Sequence, residues 1–125
     1  MQPVTIGDAT AAKLTDSGQP SETGPALGSF AGVELGALQE LMKRTYGERD
    51  AARGQAATVA WIAEEVGELA QAVRKGTPAQ QLHELGDVLA WLASLAEQLG
   101  LSLEEAVARY ADGCPRCGGI PCRCP

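Results

Sequence analysis

Residues 58–99 read TVAWIAEEVGELAQAVRKGTPAQQLHELGDVLAWLASLAEQL. Apolar residues recur through it at helical spacing, and one break divides it into two helices. Gly76 stops the first helix behind Arg74 and Lys75, cations suited to the negative end of a helix dipole. Thr77 and Pro78 then supply an N-cap and a first-turn proline for the second. With Thr58 as the first N-cap and Gly100 as the final stop, the spacing predicts helices from Thr58 to Lys75 and from Pro78 to Gln98 or Leu99. So short a turn allows only an antiparallel hairpin.

Outward from the hairpin the pattern stays helical. Val33, Leu35, Leu38, Leu41 and Met42 predict a helix from Val33 to Tyr46 that Gly47 ends, followed by the polar connection GERDAARGQ. Ser102 and Glu105 form a capping-box pair for a last helix reaching Asp112, with Gly113 as its stop. No strand-like alternation and no long-period repeat interrupts this series. The expected fold is therefore all-α, an antiparallel bundle of about four helices over residues 33–113. Residues 1–32, rich in Gly, Pro, Ser and Thr and without apolar periodicity, are expected to be a disordered leader. Residues 114–125 form a cysteine-rich tail.

Composition narrows the function. The 125 residues carry 10 Lys and Arg against 16 Asp and Glu, a net charge of −6. A nucleic-acid polymer is an unsuitable ligand, because binding a phosphate backbone needs clustered positive charge. No run approaches the roughly 20 apolar residues that span a bilayer, and the N-terminus lacks the signal-peptide pattern, so no membrane partner and a cytoplasmic location are expected. Alanine is the commonest residue, with 21 copies, and only 4% of the chain is aromatic. Small side chains bury little area, so the core needs close helix packing or a partner chain, and a homo-oligomer is expected.

The chemistry lies on the hairpin. With about 100° per residue, Glu65 falls inside the apolar arc of the first helix and Glu68 at its edge, while Glu64 points away. Glu84 and Asp87 repeat the arrangement on the second helix, and Trp61 and Trp91 flank the acids. Both tryptophans are expected in the core rather than stacked on a base. Glu68 lies eight residues before Gly76 and Glu84 seven after Thr77, which sets both about 11–12 Å from the turn. Glu65 and Asp87 both lie about 15–17 Å from it, so four carboxylates converge on one patch. Four anions beside apolar groups repel one another unless cations or protons neutralise them. All-oxygen ligands select a hard ion, Mg²⁺ or Mn²⁺, whose open positions accept phosphate oxygens. The competing reading is a solvated acidic face. His83, the only histidine, projects off the stripe as a surface residue and excludes a histidine-based metal cluster.

EEVGELAQAVRKG over residues 64–76 and ELGDVLAWL over residues 84–92 resemble the MazG-type all-α nucleotide pyrophosphohydrolases, whose motif is EExxE followed by ExxD. The likeness extends from about Leu35 to the end of the chain and includes RDAARG before the first hairpin helix. It implies cleavage of a nucleoside triphosphate between its α and β phosphates, releasing a monophosphate and pyrophosphate, with nucleotide-pool cleansing as the role such a reaction would serve. It also implies dimers or larger assemblies, with Glu65, Glu68, Glu84 and Asp87 as Mg²⁺ ligands. Glu64 is the candidate base. Arg53, Arg74, Lys75 and Arg109 are the cations near helix ends, with Arg53 and Arg109 the candidates for phosphate contacts. Similar proteins often carry a lysine and an asparagine near the end of the last helix, where this chain has Arg109 and Asp112. The alternatives are a phosphoribosyl-ATP pyrophosphohydrolase, with the same carboxylates and another substrate, and a non-enzymatic helical adaptor.

Cys114-x-x-Cys117 and Cys122-x-Cys124 place four soft ligands around Gly118, Gly119 and Pro121, which supply tight turns. In a reducing compartment that spacing favours a structural Zn²⁺ over disulfides. Four cysteine ligands would leave no open coordination position, so such a zinc folds the tail and takes no part in catalysis.

Overall fold

A computed structural model describes residues 32–125. The expected leader, apart from Gly32, lies outside the described residues. Four helices follow in order: α1 (Leu35–Arg53), α2 (Gln55–Lys75), α3 (Pro78–Leu99) and α4 (Leu103–Ala108). Among the described residues there is no strand, and the helices pack as a bundle. α3 is the central element, with α2 against it on one side, α1 on another, and the short α4 returning to α1.

The hairpin forms as its sequence dictates. Gly76 N donates to Ala72 O at 2.7 Å to close α2, and a Cβ on Gly76 would lie 2.7 Å from that same oxygen, so only glycine fits. Thr77 Oγ1 accepts from Gln80 N while Gln80 Oε1 accepts from Thr77 N, a complete capping box ahead of Pro78.

The first connection differs from the expectation. α1 runs through Gly47 to Arg53, and the polar connection GERDAARGQ is helical except at Gly54. A mid-helix glycine costs only about 1 kcal/mol against alanine, which packing on both sides overrides. Buried Met42 and Asp50 anchor α1 before and after Gly47. The chain instead breaks at Gly54, whose φ of 84° favours glycine. α2 accordingly starts at Gln55, and Thr58 is no N-cap. It lies fully buried one turn in, its hydroxyl donating to Gly54 O and accepting from Gln98 Nε2 at 2.8 Å. Ser102 does cap α4, accepting from Glu105 N, but the helix ends at Ala108 and continues only as turns to Asp112.

The core is small. Met42, Ala72, Trp91, Ala93 and Ala96 are its buried apolar residues, joined by Asp50, Thr58 and Ser94. Much of the apolar stripe assigned to the core by periodicity points outward: Val66 is 48% exposed, Val73 63% and Leu85 47%. Trp91 is core, as expected, whereas Trp61 is 42% exposed and stacks on it, rings 5.8 Å apart and 6° from parallel. The interior of the single chain closes on α3, leaving an apolar seam on the outside of the hairpin.

Candidate functional site

The antiparallel pairing of α2 and α3 brings the carboxylates together at the height computed from the turn. Glu65, Glu68 and Glu84 each place one oxygen so that all three lie within 4.8 Å of one another. Asp87 belongs to a second group, of the same spacing, with Glu84 and His83. Glu84 is common to both, so the four acids form a continuous patch rather than one symmetric cage. Glu65, Glu84 and Asp87 are half-buried and Glu68 is exposed.

The electrostatics follow from this crowding. Burial raises the Glu65 carboxyl above its ordinary value, and the charges of Asp87, Glu68 and Glu84 raise it further. One contact opposes them: the Trp91 indole N–H donates to Glu65 Oε1 at 2.9 Å and stabilises the anion. Glu84 Oε2 is buried with no hydrogen-bond partner among the described residues. A carboxylate oxygen left in that state is costly, and a cation or a proton would satisfy it. The donor set is all oxygen, and it fits a hard divalent ion.

The other candidate residues are distributed as follows. Glu64 is exposed and belongs to neither acidic group. His83 is exposed, as expected, yet its Nε2 lies 3.4 Å from Asp87 Oδ2, so it stands at the edge of the patch. Arg53 is held between the Asp50 carboxylate, 2.6 Å away, and the face of Trp91, 4.7 Å from the ring centroid. Arg109 lies over the Tyr110 ring at 5.2 Å and is exposed. A cavity of about 350 Å³ opens beside the acids toward the turn, lined by Glu68, Glu84, Gln71, Gln80 and Lys75. Among the four cations that spacing alone could not separate, Lys75 is the one lining this cavity.

Sequence reasoning missed Asp50 and the polar role of Trp91. The signal for Asp50 was present, since Asp50 and Arg53 stand three apart, a side-chain pair if the segment is helical. The Trp91–Glu65 bond crosses between helices and leaves no spacing rule to find it.

The tail gathers its four cysteines. Cys114, Cys117, Cys122 and Cys124 have sulfurs mutually within 4.8 Å, with Cys114–Cys122 at 3.4 Å, Cys114–Cys124 at 3.7 Å and Cys117–Cys122 at 3.8 Å. A disulfide needs about 2.05 Å, whereas the edge of a tetrahedron with metal–sulfur bonds of about 2.3 Å is roughly 3.8 Å. Backbone N–H groups of Arg123 and Gly119 hold the Cys117 thiol down to about 6. Hydrogen bonds from the backbone of Cys117 and Arg116 likewise lower Cys114, whereas its sulfur neighbours push Cys124 up to about 11.

The sequence family described as the MazG nucleotide pyrophosphohydrolase domain matches residues 53–116, just over half of the chain. The match spans α2, α3 and α4 and contains all four carboxylates. No curated protein matches the chain.

Proposed function

The chain belongs to the MazG nucleotide pyrophosphohydrolase family, and from that premise we propose that it is a Mg²⁺-dependent hydrolase that cuts a nucleoside triphosphate into a nucleoside monophosphate and pyrophosphate. The observation that carries the reading is the acidic patch with its buried, unpartnered Glu84 oxygen. Glu65, Glu68, Glu84 and Asp87 would hold Mg²⁺ or Mn²⁺. A bound divalent cation withdraws charge from phosphate oxygens and orients the anhydride for in-line attack.

The chain's own groups have the remaining work. Glu64 is exposed and outside both acidic groups, so as base it would act across an interface with a second copy, taking a proton from the attacking water as that oxygen bonds to the α-phosphorus. The α–β anhydride bond breaks and pyrophosphate leaves. Lys75 faces the cavity beside the acids and offers a cation to the departing phosphates. Arg53 and Arg109 are the further candidates for phosphate contacts. Removal of unwanted nucleotides from the pool is the role such a reaction serves.

The direct test incubates the protein with Mg²⁺ and a panel of ribo- and deoxyribonucleoside triphosphates. Monophosphate with pyrophosphate, lost in Glu68→Ala, is the expected result. Diphosphate with phosphate would overturn the bond assignment. Silence from folded protein would leave phosphoribosyl-ATP, assayed separately, or a carboxylate patch that only binds.

The oligomer belongs to the same proposal. Val59, Ile62, Val66, Leu69 and Val73 on α2 alternate at spacings of three and four, as do Leu82, Leu85, Leu89, Leu92, Ala96 and Leu99 on α3. That is a heptad seam on each helix, and most of its large side chains are exposed. A second copy presenting the same hairpin would cover both seams and complete a core that one chain leaves small. Light scattering after size exclusion is expected to give at least twice the chain mass for wild type and a smaller species for Leu89→Lys. An unchanged mass in that variant would remove the seam from the interface.

No described helix is long and apolar enough to cross a membrane. We assign the four cysteines to a structural Zn²⁺, on the strength of their sulfur spacing.

A further inference from the structure

Three helices meet at one indole. Trp91, on α3, is 1% exposed, and its N–H donates to Glu65 Oε1 on α2 at 2.9 Å. Across the face of the same ring lies the Arg53 guanidinium of α1, 4.7 Å from the centroid. Arg53 is fixed in turn by Asp50, one helical turn earlier and 4% exposed, through a 2.6 Å ion pair. A buried carboxylate needs a partner to be tolerated, and Arg53 supplies it while its guanidinium lies over the ring face.

We propose that Asp50, Arg53 and Trp91 are positioning residues that set the Glu65 carboxylate for cation binding. The inference rests on the metal-site reading above and adds its outer support. Glu65 has two oxygens. The indole bond engages Oε1 and restrains the carboxylate, one of whose oxygens lies within 4.8 Å of oxygens of Glu68 and Glu84. An indole N–H can only donate, so it favours the ionised carboxylate that a cation requires. The ring itself cannot turn, because Arg53 covers one part of its surface and Trp61 stacks on it. Outer groups of this kind orient metal ligands, and losing one typically costs about 10- to 100-fold in metal affinity.

The arrangement also links elements that share few direct contacts. α1 touches the α2 side of the hairpin sparsely, and the Asp50–Arg53–Trp91–Glu65 series is a polar route from it to the acidic patch.

The test uses Mn²⁺ binding to the full chain without nucleotide, followed by the electron paramagnetic resonance signal of the free ion. Trp91→Phe keeps an aromatic ring for Arg53 and removes the donor together with part of the ring's volume. Its Mn²⁺ affinity is expected to fall about 10-fold or more with circular dichroism unchanged. Asp50→Asn, which loosens Arg53, is expected to weaken binding in the same direction by less. A readout that mere packing would not move is the Trp91 indole N–H resonance, assigned by comparison with Trp61→Phe. It should shift during Mg²⁺ titration of wild type, with one midpoint for shift and binding. Wild-type Mn²⁺ affinity in a folded Trp91→Phe would overturn the positioning role and leave the metal site standing. Absence of Mn²⁺ binding by wild type would overturn both. Should Trp91→Phe fail to fold, an indole resonance indifferent to Mg²⁺ in wild type would overturn the proposal by itself.

Discussion

Glu84→Gln is expected to abolish the stabilisation of this protein by Mg²⁺ while raising the melting temperature of the metal-free chain. Glu84 is shared by both acidic groups, and its Oε2 is buried without a partner among the described residues. Metal-free, the wild-type carboxylate adds a desolvated charge to Glu65, Glu68 and Asp87, and neutralising it removes that repulsion. With metal, the same charge is the attraction. For wild type, Mg²⁺ at 100 times its dissociation constant contributes about 2.7 kcal/mol, a shift that the variant should lose. Pyrophosphate release should fall by more than the roughly 10- to 100-fold typical of outer-shell losses. Thermal melts with and without Mg²⁺ decide the matter, and a wild-type Mg²⁺ shift in Glu84→Gln would exclude this residue as a ligand.

Acidity provides an independent check on the same patch. Glu65 is held above its ordinary value by burial and by its acidic neighbours, so its protonated form is favoured in the folded state. The protonated form thus gains only relative to the unfolded chain, and the contribution to stability is fully present below the unfolded carboxyl value and lost as pH rises through the folded one. Metal-free protein should therefore gain stability from this residue as pH falls toward 4.5, over the same range in which Mg²⁺ stabilisation declines because protons compete for the oxygens.

The second large effect is expected in the tail. Zinc removal by a chelator under reducing conditions should release one equivalent per chain and disorder residues 114–125. The helical unfolding transition should persist, since the cysteines lie outside the buried core. Structural zinc in small peptides contributes about 10–16 kcal/mol of folding free energy, so a twelve-residue loop would depend on it entirely. Cys117, held to about 6 by backbone N–H donors, is already largely thiolate at neutral pH. Its depressed value contributes stability above the free-thiol range that is lost as pH falls through about 6, so zinc release should rise steeply below that pH. A colorimetric chelator assay across pH measures this, and absence of zinc in protein purified under reducing conditions would reject the site.

The two hairpin helices were legible because their determinants are local. Gly76, Thr77 and Pro78 fix the turn by backbone geometry, and a turn so short fixes the relative height of every residue on both arms. Rise per residue then pairs Glu68 with Glu84 and Glu65 with Asp87, and the structure juxtaposes these acids. Gly47 misled because helix propensity is a weak prior that contacts of Met42 and Asp50 overrule, whereas Gly54, with its positive φ, was not distinguishable from it in one dimension.

By itself the sequence determined the all-α class, the hairpin and the convergence of its acids, since periodicity, capping and rise per residue act within one segment and need no partner. Only the tertiary structure decided which parts of an apolar stripe are interior. Val66, Val73 and Leu85 satisfy the same periodicity as a core face, yet α3 buries Trp91 and small alanines and leaves those side chains outside. It also decided the state of each polar group: Thr58 sealed against Gln98, Arg53 pinned over Trp91, and one Glu84 oxygen without a partner among the described residues. These depend on which helix arrives opposite, and a helical period specifies a face without naming its neighbour.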